Sequence, residues 1–327
     1  MSLSKIIIVC LIVLELPAVL LAQKLHIVEK EISPQINIIN DLKIENNTLW
    51  LATGTGLFRI ENGKLKSFEI NEKGNLSKIN TIEIDTLGNK WLGTYSGKLI
   101  KFKKERVFFI VNFSKYIDDE NTIITDITVS APDNLILLST ATGKILYYNL
   151  LTREKGVLDS PVKNSMIYSI HYDEHKNIWL CSAAGFYTKQ AKGKWKKIQG
   201  LYLAYGIFKQ AGNYWAIGRS QDKKALFMLY YKHKNLSGAK YVWKEFNLNE
   251  LPNQYARFYE LAITGEYAWI SSDIGLICYD ILSAKLSLID KYKNIDLKKI
   301  RHIAMQDKYN LWLSTAGNKL YKLEIKK

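Results

Sequence analysis

The chain has 327 residues, 47% of them apolar and 24% charged, with a formal net charge of +15. That apolar share excludes a disordered chain, and five prolines without long Ser or Gly tracts leave no evident linker. The excess of bases favours polyanionic partners, although a solvated basic surface that only maintains solubility is the simpler reading.

The chain opens with Lys5, an apolar run from Ile6 to Leu21, and Ala22 before the polar Gln23. This pattern predicts a secretory leader, residues 1–22, cleaved after Ala22; a retained anchor or a buried strand are the alternatives. A mature chain of residues 23–327 would then work in the periplasm, outside the cell or on its surface. There an acidic polysaccharide, a lipopolysaccharide or an anionic protein is a more plausible partner than nucleic acid. Cys10 falls in the leader, and Cys181 and Cys278 read as two small buried apolar side chains rather than a disulfide.

After a short β-forming stretch, KLHIVEKEI from Lys24 to Ile32, one pattern recurs. It reads LWLATGTGLFRI at Trp50, NKWLGTYSGKLIKF at Trp91, NLILLSTATGKILYY at Leu137 and NIWLCSAAGFYTK at Trp179. It returns as NYWAIGRSQDKKALFML at Trp215, YAWISSDIGLICYD at Trp269 and NLWLSTAGNKLYKL at Trp312. The seven anchors are separated by 41, 46, 42, 36, 54 and 43 residues, a period that suits a four-stranded propeller blade. Before each anchor a β-branched run ends in a turn, as in INTIEIDTLGN and IYSIHYDEHKN, which spells a hairpin. Two further strands follow, such as KLIKF and RVFFIV. No segment carries a helical period.

The last unit ends after three strands, and the unpartnered segment Lys24 to Ile32 is expected to supply its fourth. The expected fold is therefore an all-β, seven-bladed propeller with four antiparallel strands per blade and the N-terminal strand closing the last one. Gly56, Gly97, Gly143, Gly185 and Gly275 each fall six residues after an anchor. They read as corners between the second and third strands, because a phosphate loop would occur once and open a helix.

The motif I..I..D..GN.WLGT..GL, best matched from Ile82 to Lys98 and from Ile38 to Ile60, resembles the two-component regulator propeller repeat of bacterial periplasmic sensors. Leu137 in place of Trp and GRSQDKK in place of the glycine corner are its degenerate copies. The resemblance implies an extracytoplasmic ligand-binding sensor domain. In that family paired propellers usually precede a membrane helix and a histidine kinase, whereas this chain carries one ring. A stand-alone binding module, or an accessory subunit docking an exported protein, is what the resemblance leaves. Similar propellers occur in secretion components that recognise anionic lipopolysaccharide.

For chemistry, HYDEHKN offers His171, Asp173, Glu174 and His175, but a strand entering a turn does not put two histidines four apart on one face. SSDIGLIC lacks the Trp of a sialidase Asp-box, and no carboxylate pair of a glycosidase is visible. The chain is therefore read as non-enzymatic, with no catalytic residue, metal or cofactor; a hydrolase or lyase acting on acidic polysaccharide is the alternative. Candidate ligand-binding residues on the channel face come from two loop sets. The first is Thr55, Tyr95, Thr142, Arg219 and Asp273; the second is Tyr168, Tyr205, Arg257, Tyr259 and Arg301. Tyrosines stack on sugar rings and arginines fork onto carboxylate or phosphate. The blade tryptophans are expected to pack between blades, and Trp195 and Trp243 to lie on outer strands at the rim.

Overall fold

The computed structural model describes residues 25–326 apart from 31, 33, 35, 73–74, 118–121, 199, 211–212, 221–224, 234–239, 249, 253–255 and 317. The expected leader, most of the GRSQDKK corner and the Trp243 side chain lie outside the described residues.

Residues 39–68, 79–112, 124–158, 167–197, 203–247 and 258–289 each fold into a sheet of four antiparallel strands in chain order. This corrects the expected count. Blades folded from one continuous stretch of chain number six, not seven. The gap between the sixth and the first is filled by a composite four-stranded sheet, in which Leu25–Lys30 lies antiparallel to Leu320–Ile325, with Leu25 opposite Ile325 and Lys30 opposite Leu320. The sheet cannot be finished from the C-terminal unit alone, because that unit brings three strands and its outer edge would otherwise stay unpaired. Two small hairpins, Asn71–Glu72 with Asn75–Leu76 and Lys291–Tyr292 with Ile295–Asp296, were not anticipated. The described helical content is one 3-10 turn at Ser114–Tyr116.

The first strand of each continuous blade, and Ile300–Asp307 of the composite sheet, lies innermost and touches its two neighbours, so that these strands form a closed circle around a channel. Each carries a register shift near its start: between 39 and 41, 79 and 81, 124 and 126, 167 and 169, 204 and 206, 258 and 261, and 300 and 302. A bulge adds a residue to one strand and re-aims its side chains. Here it leaves two consecutive polar residues between apolar ones, as in Asn40 and Asp41 between Ile39 and Leu42.

The core is divided. One apolar cluster lies between each pair of neighbouring sheets: Trp50, Leu92 and Phe102 meet between the first and second blades, and Trp269, Leu313 and Tyr321 between the sixth and the composite sheet. Stacking is what hides these faces, since a single four-stranded sheet has nothing to cover them. The anchor tryptophans sit in these wedges. Each indole N–H that reaches a described acceptor donates back to the end of the preceding strand: Trp50 to Glu45, Trp91 to Asp85, Trp179 to Asp173, Trp269 to Thr264 and Trp312 to Gln306. A buried indole N–H needs such a partner, which accounts for an acceptor side chain five or six residues before the Trp, acidic in three of these five units.

The glycine corners have positive φ, for instance 66° at Gly97, where an added Cβ would stand 2.2 Å from Ile117 Cδ1. Only glycine fits there. Cys181 and Cys278 are free and buried, and the Trp195 indole donates to the Asp159 carbonyl.

Candidate ligand-binding channel

The bulged inner strands open onto a cavity of about 670 Å³. The first residue that each bulge leaves unpaired contributes a first ring: Asn40, Asn80, Thr125, Tyr168, Tyr205, Tyr259 and Arg301. This ring has two unlike arcs. On one side Tyr168 and Tyr205 stand 5.8 Å apart, Tyr205 packs against Phe258 at 5.9 Å, and the Arg301 guanidinium lies 5.5 Å over Tyr259. On the other, the amides of Asn40 and Asn80 donate to the carbonyls of Ile79 and Ile124 on the next strand, and Tyr95 donates to Asn40 Oδ1 at 3.1 Å.

The next residue along each strand makes a second ring: Asp41, Thr81, Asp126, Ser169, Gly206, Glu260 and His302. Three of its acids clamp neighbouring sheets together by one device. Asp41 accepts from the Thr81 hydroxyl and the Ile82 N–H, at 3.0 and 2.9 Å. Asp126 accepts from the Ser169 hydroxyl and the Ile170 N–H, at 2.8 and 2.9 Å. Glu260 accepts from the Ile303 N–H at 2.7 Å and pairs with His302 Nδ1 at 2.9 Å. His302 thus occupies the place that Thr81 and Ser169 hold at the other clamps. Further along, Lys43 meets Glu83 at 3.3 Å, with 38% and 33% of their side chains open to the channel, so water screens that pair.

Burial and proximity shift these groups in opposite directions. Burial raises Asp126 to about 7, against the attraction of Lys43, and raises Asp41 and Glu83 as well. For His302 burial would favour the neutral ring, but Glu260 and Asp41 outweigh it and hold the imidazole above its ordinary value. Among the described residues Asp41, Glu260 and His302 are the group whose metal-ligand atoms converge, all within 4.8 Å of one another. An imidazole between two carboxylates can move a proton as well as hold a charge.

The expected site residues separate by loop set. Tyr168, Tyr205, Arg257, Tyr259 and Arg301, from the starts of inner strands, all line the cavity. Of the other set, only Tyr95 reaches the ring, through Asn40. Thr55 and Thr142 pair with the hydroxyls of Thr53 and Thr140 inside their own turns, at 3.3 and 3.2 Å. The Asp273 carboxylate accepts the Arg257 N–H at 2.9 Å. Arg219 is buried, donates to the Ala256 carbonyl and lies over Phe258, so it braces the wall instead of opening onto the cavity. His171 is half-buried beside Tyr214 and pushed down to about 4 by burial and then by Lys209, while Glu174 binds Lys209 and the Tyr214 hydroxyl.

Sequence reasoning did not single out Asn40, Asn80 and Thr125, or the clamp residues Asp41, Asp126, Glu260 and His302. A signal was present. Every inner strand reads apolar, two polar or small residues, apolar (IND L, INT I, ITD I, IYS I, AYG I, FYE L, IRH I), which breaks the alternation of a regular strand.

No protein-family model matches the chain, and no curated relative matches its sequence. Solved structures do match. Virginiamycin B lyase from Staphylococcus aureus superposes with a TM-score of 0.68 over 92% of this chain and 99% of that one, at 13% identity. A chain of the mitotic checkpoint complex gives 0.67 over 92% and 91%, at 10% identity. The fold is a β-propeller. The extracellular domain of a one component system from B. thetaiotaomicron matches at 16% identity with a TM-score of 0.47, over 88% of this chain and 46% of that one, too distant to carry an argument. A lyase and a mitotic assembly sharing one scaffold illustrate why function has to be read from the site. Among the described residues, no helix is long and apolar enough to cross a membrane.

Proposed function

We propose that this propeller is an exported, sensor-type binding module, akin to the two-component regulator propellers, that takes a carbohydrate or other anionic ligand at its channel face. The two-armed first ring is the observation that carries this reading. Tyr168, Tyr205 and Tyr259 offer aromatic faces for a sugar ring, Arg257 and Arg301 offer forked donors for a carboxylate or phosphate, and Asn40, Asn80 and Thr125 offer polar edges for hydroxyls. Export rests on the leader-like segment from Lys5 to Ala22, and an anionic surface of an envelope protein would suit the same cations.

A second reading, a hydrolase or lyase acting on acidic polysaccharide, is favoured by the Glu260, His302 and Asp41 group, which places a proton-transfer centre in the same cavity as the two arginines. One experiment separates the readings. Titration calorimetry against uronate-containing and sulfated oligosaccharides, at low and high salt, is run beside assays for new reducing ends and for unsaturated uronate absorbance. Binding without product, weakened by salt and by about tenfold or more in Tyr205→Ala and Arg301→Gln, supports the binding module. Product that disappears in His302→Asn supports the enzyme. Neither binding nor product overturns both.

A further inference from the structure

A second concavity lies away from the channel, between the second and third blades. It measures about 610 Å³. Its floor is aromatic: Trp91 and Phe109 stand 5.9 Å apart, and Phe109 stands 5.9 Å from Tyr148. The surface around it is unusual for this protein. Of nine large apolar side chains exposed among the described residues, three (Leu87, Phe108 and Ile110) line this groove. Scattered exposed apolar residues are ordinary, whereas a gathered patch beside a groove marks an interaction surface.

Bases outnumber acids around the groove. Lys101 Nζ sits 5.0 Å over the Trp91 ring, the Arg106 guanidinium 5.0 Å over Phe108, and the exposed Arg153 lines the groove from the third blade. Asp85 is the one acid lining it, and its oxygens already accept the N–H groups of Leu87 and Asn89, the Asn89 amide and the Trp91 indole. The strand Arg106–Asn112 is the free edge of its sheet, but its register slips opposite Lys101 and Phe102, leaving Phe108 without a partner position. That bulge interrupts the edge against simple strand addition, so recognition here runs through side chains.

We infer that the groove between the second and third blades binds an extended peptide segment of another protein, one that seats apolar side chains on Phe108, Phe109 and Leu87 and sets carboxylates against Lys101, Arg106 and Arg153. This site stands apart from the channel and does not rest on the reading given for it.

The test is selection of a phage-displayed random peptide library on the whole protein, followed by fluorescence anisotropy with one enriched synthetic peptide. Enriched sequences are expected to place Asp or Glu beside Leu, Ile or Phe. Their affinity should fall about tenfold or more in Phe108→Ser and in Arg153→Glu and be unchanged in the channel variant Tyr205→Ala. Phe108 and Arg153 are exposed, so both variants should keep the wild-type melting temperature; where Phe108→Ser does not, Arg153→Glu decides. Three results overturn the inference: no enrichment, enriched peptides that bind both groove variants as tightly as wild type, or sedimentation showing a second copy of the chain seated on the patch.

Discussion

His302 shows how one position serves the fold and the site together. At the clamps of Asp41 and Asp126 a hydroxyl donates to the acid, and at the clamp of Glu260 the donor is an imidazole that a second acid, Asp41, also attracts. Because the folded protein holds this ring above its ordinary 6.5, the protonated pair stabilises the fold fully below pH 6.5, and that contribution disappears as pH rises through the elevated folded value. The melting temperature of the wild type is therefore expected to decline above pH 6.5 relative to its value in acid, and His302→Asn should flatten that decline. An identical pH profile in wild type and variant would show that the imidazole carries no charge in the fold. The residue escaped sequence reading for a physical reason: lone polar residues in a strand look alike until the bulge turns two neighbours toward the channel together. That the tyrosines and arginines of the second loop set line the cavity was legible because their loops are fixed by the repeat. Arg219 was misjudged, since nothing local reveals that a neighbouring blade lies over it.

At the level of the hairpin, the repeat motif is a hydrogen-bond network written in one dimension. Asp85 turns the chain by accepting the N–H groups of Leu87 and Asn89, then accepts the Trp91 indole from the returning strand, and Asp173 does the same for His175, Asn177 and Trp179. Removing the acid strands buried donors, which costs about 1–3 kcal/mol. Asp85→Ala should therefore lower the unfolding free energy measured in urea by that amount while leaving channel binding intact, and Asp85→Asn should recover part of the loss. These hairpins were readable because every contact in them lies within a few residues. The two small extra hairpins were not, because strands of two residues leave no alternation to detect.

For the ring as a whole, stability depends on a pairing that spans the entire sequence. Leu25 and Ile27 are 2% and 4% exposed in the composite sheet, and burying two such side chains contributes about 4 kcal/mol. Deleting residues 1–30 should weaken the protein by roughly that amount. It should also bare the edge Leu320–Ile325 and raise light scattering, and a synthetic peptide of residues 23–33 should restore the melting temperature. An unchanged melting temperature after truncation would mean that the closing strand is dispensable.

The sequence by itself determined the strands, their hairpins, the corners that only glycine can turn, and the circular stacking, because each follows from local hydrogen bonding and from a repeated apolar face that needs a cover. The tertiary structure alone decided the blade count, six from continuous chain, whereas the closing of the remaining sheet by both ends was already expected from the sequence. It also decided which polar residues share the channel, that Arg219 is buried, and that aromatic and basic groups of two blades meet in one groove. Those outcomes depend on residues tens to hundreds of positions apart, and only the closed ring sets the distances between them.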